Sequence, residues 1–240
     1  STAGNVVLLG KGVDGLLVGG AVTVGSVGRV RSLTITGTAT SGDGITTTAA
    51  LRATGALTLT GYTATGTNGI DVGSTLASTV AGDVILSGKS GGINAAVYTT
   101  GVTLANTLTV AAGNLTIQGA TLVGGIATPL PGSSATGSRY GFSSAAAGDI
   151  TVSGNISLAG TSVTFLGGYL LGDVLSTDGN VALTGAGLYA MSLSGPVTAG
   201  TGVNPRTLTI TTTGSNGYGL TTAAAAALSA TGSIALTSYA

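Results

Sequence analysis

The 240 residues carry seven aspartates against seven lysines and arginines, so the net charge is zero, and charged residues make up only 6% of the chain. Glycine contributes 44 residues, while Cys, His, Trp and Glu are absent. This composition excludes a basic nucleic-acid footprint, a disulfide framework and thiolate chemistry, and any site built on histidine, the commonest general base and metal ligand.

From its beginning the chain writes one phrase and then rewrites it. Gly4-Asn5-Val6-Val7-Leu8-Leu9-Gly10 returns, in looser form, as Gly55-Ala56-Leu57-Thr58-Leu59-Thr60-Gly61, and then as Gly82 to Gly88, Gly113-Asn114-Leu115-Thr116-Ile117-Gln118-Gly119, Gly148 to Gly154, Gly179 to Gly185 and Gly232 to Thr237. Apolar residues alternate with Thr or Ser, which is the pattern of a half-buried strand. The flanking Gly and Asn or Asp suit sharp corners. Counting first apolar residues at Leu33, Leu57, Val84, Leu115, Ile150, Val181, Leu208 and Ile234 gives intervals of 24 to 35 residues, with Val6 and Val22 extending the series towards the N-terminus.

A second phrase follows each strand, as Ser41-Gly42-Asp43-Gly44-Ile45, Thr67-Asn68-Gly69-Ile70, Ser90-Gly91-Gly92-Ile93 and Ser215-Asn216-Gly217-Tyr218, and weaker strands such as Val102-Thr103-Leu104 and Leu108-Thr109-Val110 fit between. Three short strands per repeat predict an all-β parallel β-helix (a β-solenoid) of about eight or nine coils, forming a single unit over 1–240. The stretch 119–148 holds Pro129 and Pro131 and is expected to loop out, since proline cannot donate to a ladder. The Ala-rich runs 143–147 and 221–227 are read as extended or corner segments rather than helices. No run reaches the roughly 18 apolar residues of a spanning helix, and short strands with few aromatics do not suit a membrane barrel, so membrane insertion is not expected.

Candidate chemistry is sparse. Asp83 and Asp149 share a repeat position with Asn5, Asn114 and Asn180, which assigns them to corner hydrogen bonding rather than to catalysis. Gly66-Thr67-Asn68-Gly69-Ile70-Asp71 only faintly echoes a calcium-binding repeat and does not recur. No catalytic, cofactor or metal residue is expected, and no nucleic-acid partner. The outward positions of the main strand are read as Thr34/Thr36, Thr58/Thr60, Ile85/Ser87, Thr116/Gln118, Thr151/Ser153, Ala182/Thr184, Thr209/Thr211 and Ala235/Thr237. This array makes Thr34, Thr36, Thr58, Thr60, Thr209 and Thr211 a candidate ice- or carbohydrate-binding face. Arg139, Tyr140 and Phe142 are the other candidate contacts, because exposed aromatic and Arg side chains are the usual anchors of recognition.

The repeats, of the form Gly-(Asn/Asp/Ser)-(Val/Leu/Ile)-x-(Leu/Ile/Val)-x-Gly, resemble the filamentous haemagglutinin-type repeats of bacterial two-partner secretion and autotransporter passengers. The resemblance implies a right-handed parallel β-helix, secreted to the bacterial cell surface, acting as a stalk, adhesin or fibre segment towards a host or cell-surface glycan or protein. Ser1-Thr2-Ala3-Gly4 lacks an initiator Met and a secretion signal, as a processed protein or an internal fragment would. Neither end reads as a cap, so continuation of the chain or end-to-end stacking with a second copy is expected. The reading from another class is a binding solenoid for ice or carbohydrate; a polysaccharide-cleaving enzyme is the more distant one.

Overall fold

Alternating apolar and polar residues put every second side chain on the same side of a strand, and a single short strand cannot bury that side alone. In the computed structural model, which describes residues 1, 4–26, 28–91, 99–122 and 139–239, the chain buries it by winding. Each coil lays a strand on each of three faces, and every strand pairs in parallel with its equivalents in neighbouring coils. No α-helix occurs among the described residues.

The first face comprises β1 (Val6–Gly12), β4 (Leu33–Ala39), β7 (Leu57–Thr63), β10 (Val84–Ser90), β13 (Leu115–Thr121), β16 (Ile156–Ser162), the first parts of β19 (Val181–Leu193) and β21 (Leu208–Thr222), and β23 (Ile234–Tyr239). The second comprises β2 (Leu16–Val18), β5 (Ile45–Thr47), β8 (Asn68–Val72), β11 (Thr99–Leu104), β14 (Arg139–Ser144), β17 (Leu166–Leu170) and the last parts of β19 and β21. The third comprises β3 (Val22–Val24), β6 (Leu51–Ala53), β9 (Leu76–Ser78), β12 (Leu108–Val110), β15 (Ile150–Val152), β18 (Val174–Ser176), β20 (Val197–Ala199) and β22 (Leu228–Ala230). Eight coils and the first strand of a ninth result, in agreement with the solenoid expected from the repeats. Because β19 and β21 run from the first face into the second, these two faces form one 15-stranded sheet, and the third is a separate 8-stranded sheet.

The register stacks like on like. Leu33 lies beside Leu57, followed by Val84, Leu115, Ile156, Val181 and Leu208; two residues on, Ile35, Leu59, Leu86, Ile117, Leu158, Leu183 and Ile210 form a second column. All of these side chains are at most 2% exposed. On the second face the inward column runs Ile45, Ile70, Val102, Phe142, Gly168, Met191 and Leu220. Gly168 gives up its side chain between two large neighbours, and a Cβ there would stand 3.1 Å from Met191 Cε.

The pairing differs from the sequence reading at two positions, the first being Val22, which lies on the third face beside Leu51. Ile150 also belongs to the third face, where it pairs with Leu108 and Val174. The first-face strand of that region begins at Ile156. Successive corner residues Asn114, Asn155 and Asn180 therefore stand 41 and 25 residues apart, so the fifth coil is the longest. The second phrase at Gly92-Ile93 and residues 123–138 of the expected excursion, with Pro129 and Pro131, lie outside the described residues. Both Ala-rich runs land on the corner between second and third faces as tight turns, closed by Gly148 N–H to Ala145 O at 2.9 Å and Ala226 N–H to Ala223 O at 3.0 Å.

The glycine inside each first-face strand from β1 to β19 has a different task from the corner role expected of it. It is the fifth residue of a strand that continues for two more, and it forms a column through Gly10, Gly37, Gly61, Gly88, Gly119, Gly160 and Gly185. A Cβ on Gly37 would overlap the carbonyl oxygen of Gly44; on Gly88, that of Gly101; on Gly119, that of Gly141; on Gly160, that of Gly167. The backbones of the first and second faces thus touch where the coil closes. True positive-φ glycines are few, and Gly82 (φ 123°) and Gly113 (φ 147°) are those that turn the chain into Asp83 and Asn114.

Gly119→Ala is expected to destabilise the protein by about 1–3 kcal/mol through overpacking against backbone that cannot retreat. Gly20→Ala, with no atom within 4 Å of the new Cβ, should change stability by about 0.5 kcal/mol or less. Urea unfolding of the two variants measures the difference, and equal midpoints would contradict the close approach.

Candidate functional site

The first face presents its outward side chains as a flat array. Thr34 and Thr36 lie beside Thr58 and Thr60, with rows about 4.8 Å apart across coils and about 6.7 Å apart along the strand. The next coils bring Ile85 and Ser87, Thr116 and Gln118, Ser157 and Ala159, then Ala182 and Thr184, before Thr209 and Thr211 restore the pattern. The six candidate threonines therefore form two patches separated by four coils. Thr151 and Ser153, read from the sequence as part of this row, are not in it: Thr151 lies on the third face between Thr109 and Leu175, and Ser157 and Ala159 take the place.

The Asx residues act at corners, as expected, but their bonds reach into the neighbouring coil. Asp83 Oδ1 accepts from Asn114 N–H at 2.8 Å, Asn114 Oδ1 from Asn155 N–H at 2.9 Å, Asn155 Oδ1 from Asn180 N–H at 2.9 Å, and Asn180 Oδ1 from Thr207 N–H at 2.8 Å. Asn5 does the same for Ser32 N–H. Asn155, which the repeat count passed over, holds the place assigned to Asp149; Asp149 does equivalent work at another corner, accepting from Asp173 N–H at 3.0 Å.

Two other aspartates are brought together on coils two and three. Asp43 accepts from Thr67 Oγ1 (2.5 Å), Asn68 N–H (2.8 Å), Asn68 Nδ2 (3.3 Å) and Thr46 Oγ1 (3.3 Å), so its carboxylate is tied into the corner. Asp71 lies beside Thr46 and Thr103 on the second face. Burial, and after it the Asp43 charge, raise the Asp71 carboxyl above its ordinary value.

Arg139, Tyr140 and Phe142, adjacent in sequence, have three different fates. Phe142 is 2% exposed and belongs to the core. Arg139, at the start of β14, is 3% exposed. Tyr140 is half-buried and heads a strip of aromatic side chains along the second face. It stacks on Tyr169 (centroids 5.3 Å apart, planes at 23°) and meets Phe165 edge-on at 5.6 Å; Phe165 meets Tyr189 at 5.6 Å, and Tyr189 meets Tyr218 at 5.7 Å. Tyr218 is 63% exposed. Five of the nine aromatic residues in the chain thus lie in one run across coils five to eight. Of these only Tyr140 was singled out from the sequence, because the others fall at unrelated positions of the linear repeat and meet only through the pairing of strands.

Comparison with protein-family models, with curated proteins and with solved structures found no match to this chain.

A raised carboxyl pKa means that the folded state holds the Asp71 proton more tightly than the unfolded chain does. Its contribution is fully favourable below the unfolded value, near 3.8, and is lost as pH rises through the folded one. Asp71→Asn is therefore expected to melt above the wild type near neutral pH, with the gap closing as pH falls towards 3.8. Thermal melts of the two proteins across that range check this, and a gap independent of pH would contradict it.

Proposed function

We propose that this chain is a non-catalytic structural or adhesive element of an extracellular bacterial surface, part of a stalk or fibre. The observation that carries the reading is the unbroken in-register stacking of nine first-face strands. Parallel ladders of this kind make a stiff rod of about 40 Å at about 4.8 Å per coil. Its low charge and Gly/Thr/Ser-rich surface suit a passive spacer. Among the described residues each of β1 and β23 pairs on one side only, and a parallel edge accepts a further strand. That favours self-stacking as a partner reading.

The aromatic strip favours contact with a carbohydrate chain as the adhesive activity, since partly exposed Tyr and Phe side chains supply large contact area with polar tips. The broken threonine lattice gives the ice-binding reading less support.

Electron microscopy of native, unheated material is expected to show continuous fibres a few nanometres wide with an axial repeat near 4.8 Å. Short separate rods would overturn end-to-end assembly. For the adhesive reading, the Tyr140→Ala/Tyr169→Ala double variant should weaken binding to any glycan the wild type retains by about tenfold or more. Undiminished binding would remove the strip from the contact.

A further inference from the structure

Seven buried side-chain atoms among the described residues make no hydrogen bond, and three of them share one corner. Thr99 Oγ1 stands at the start of β11, Arg139 Nε at the start of β14, and Thr164 Oγ1 in the turn just before β17. Thr99 pairs directly with Arg139 in the register, and Tyr140, the next residue, pairs with Leu166, two beyond Thr164. The three therefore occupy successive coils within a span of about 10 Å. Three backbone groups beside them have a partner in Ser162. Ser162 Oγ donates to the Arg139 carbonyl at 2.9 Å and accepts from the N–H groups of Thr164 at 3.4 Å and Phe165 at 3.1 Å. Ser162 Oγ also accepts from Thr121 Oγ1 at 3.2 Å, so the buried side-chain atoms left without a partner at this corner are Thr99 Oγ1, Arg139 Nε and Thr164 Oγ1.

Arg139 makes the corner more than a packing defect. A guanidinium offers five N–H donors, has no acceptor and stays protonated in proteins, and a buried charge without a counter-charge is strongly disfavoured. The ion pair among the described residues is Arg206–Asp178, and no carboxylate among them pairs with Arg139. Its pKa is lowered by burial alone, with no carboxylate opposing the shift. All seven acidic side chains are placed elsewhere, at Asp14, Asp43, Asp71, Asp83, Asp149, Asp173 and Asp178, so the residues outside the described set bring no aspartate or glutamate to it. Water could satisfy the hydrogen bonds but would leave the charge unopposed.

We propose that this corner is an anion-binding site, in which the Arg139 guanidinium, with the Thr99 and Thr164 hydroxyls donating, holds a small inorganic anion of the halide class. The 3% exposure of Arg139 leaves no opening for a polymer or a bulky organic acid. Two hydroxyl donors and one guanidinium suit a compact spherical charge. The bound anion would tie coils four, five and six together at the corner where the first face turns into the second.

The test is thermal unfolding of the whole chain at constant ionic strength, with gluconate replaced stepwise by bromide. The wild type is expected to gain about 3–5 °C in Tm for each tenfold rise in bromide above its Kd. Arg139→Met should show no bromide-specific shift and should melt above the wild type in gluconate, having lost an uncompensated buried charge. If Arg139→Met fails to fold, Thr99→Val keeps the charge and should move the bromide response to higher concentration. A bromide-soaked crystal should give an anomalous peak within hydrogen-bonding reach of Arg139 Nε. A Tm that follows ionic strength alone, identical in wild type and variants, or a crystal without bromide at this corner, would overturn the site.

Discussion

The contact on which the coil depends is backbone against backbone. Where the first face closes onto the second, the glycine column through Gly37, Gly61, Gly88, Gly119 and Gly160 meets the carbonyls of Gly44, Gly69, Gly101, Gly141 and Gly167 with no room for a side chain. That approach makes the cross-section a wedge. Only two apolar positions per first-face strand, such as Leu33 and Ile35, reach the core before the walls meet. Beyond the glycine the inward position holds a small or hydroxyl residue: Ala39, Thr63, Ser90, Thr121 or Ser162. Much of the unusual composition follows from this geometry. The glycines keep the wedge sharp, the buried hydroxyls bond to corner carbonyls such as Gly42, Gly66 and Arg139, and the aromatic rings of Tyr140, Phe165, Tyr169, Tyr189 and Tyr218 stand along the outside while Phe142 fills the core. The pattern relaxes in the eighth coil, where Thr212 replaces the glycine, 1% exposed and with its hydroxyl unbonded.

Strand identity and the coiled architecture were legible in the sequence because alternation at period two is a direct image of burial. Phase was harder to read. Gly148 to Gly154 has the same wording as a first-face strand, and its Asp149 serves a corner in the same way, yet Ile150 lies on the third face. The distinguishing mark is two residues past the glycine. First-face strands put Thr63, Ser90, Thr121 or Ser162 there, in the wedge, whereas Gly154 is followed at that distance by Ile156, which needs a core. The close-approach role of the glycines could not be separated from turn chemistry by residue type, since both demand the absence of a Cβ.

The candidate site was less legible for the same reason. Tyr140, Phe165, Tyr169, Tyr189 and Tyr218 follow no linear period, and only lateral pairing brings them together. Thr34, Thr36, Thr58 and Thr60 were correctly seen as neighbours because adjacent repeats of nearly equal length keep them in register. Arg139 reads as a surface residue in any sequence scan; its burial follows from its place at the start of β14, against Ser162 of the next coil.

Pulsed electron–electron spectroscopy on spin labels placed at Thr34→Cys and Thr209→Cys tests the coil stacking most directly, because the chain has no cysteine of its own. The two positions lie in one column, six coil rises apart through Thr58, Ile85, Thr116, Ser157 and Ala182. A narrow distribution centred near 29 Å, six rises of about 4.8 Å, is the predicted result. A broad distribution, or a centre displaced by more than about two rises, would contradict a continuous in-register solenoid.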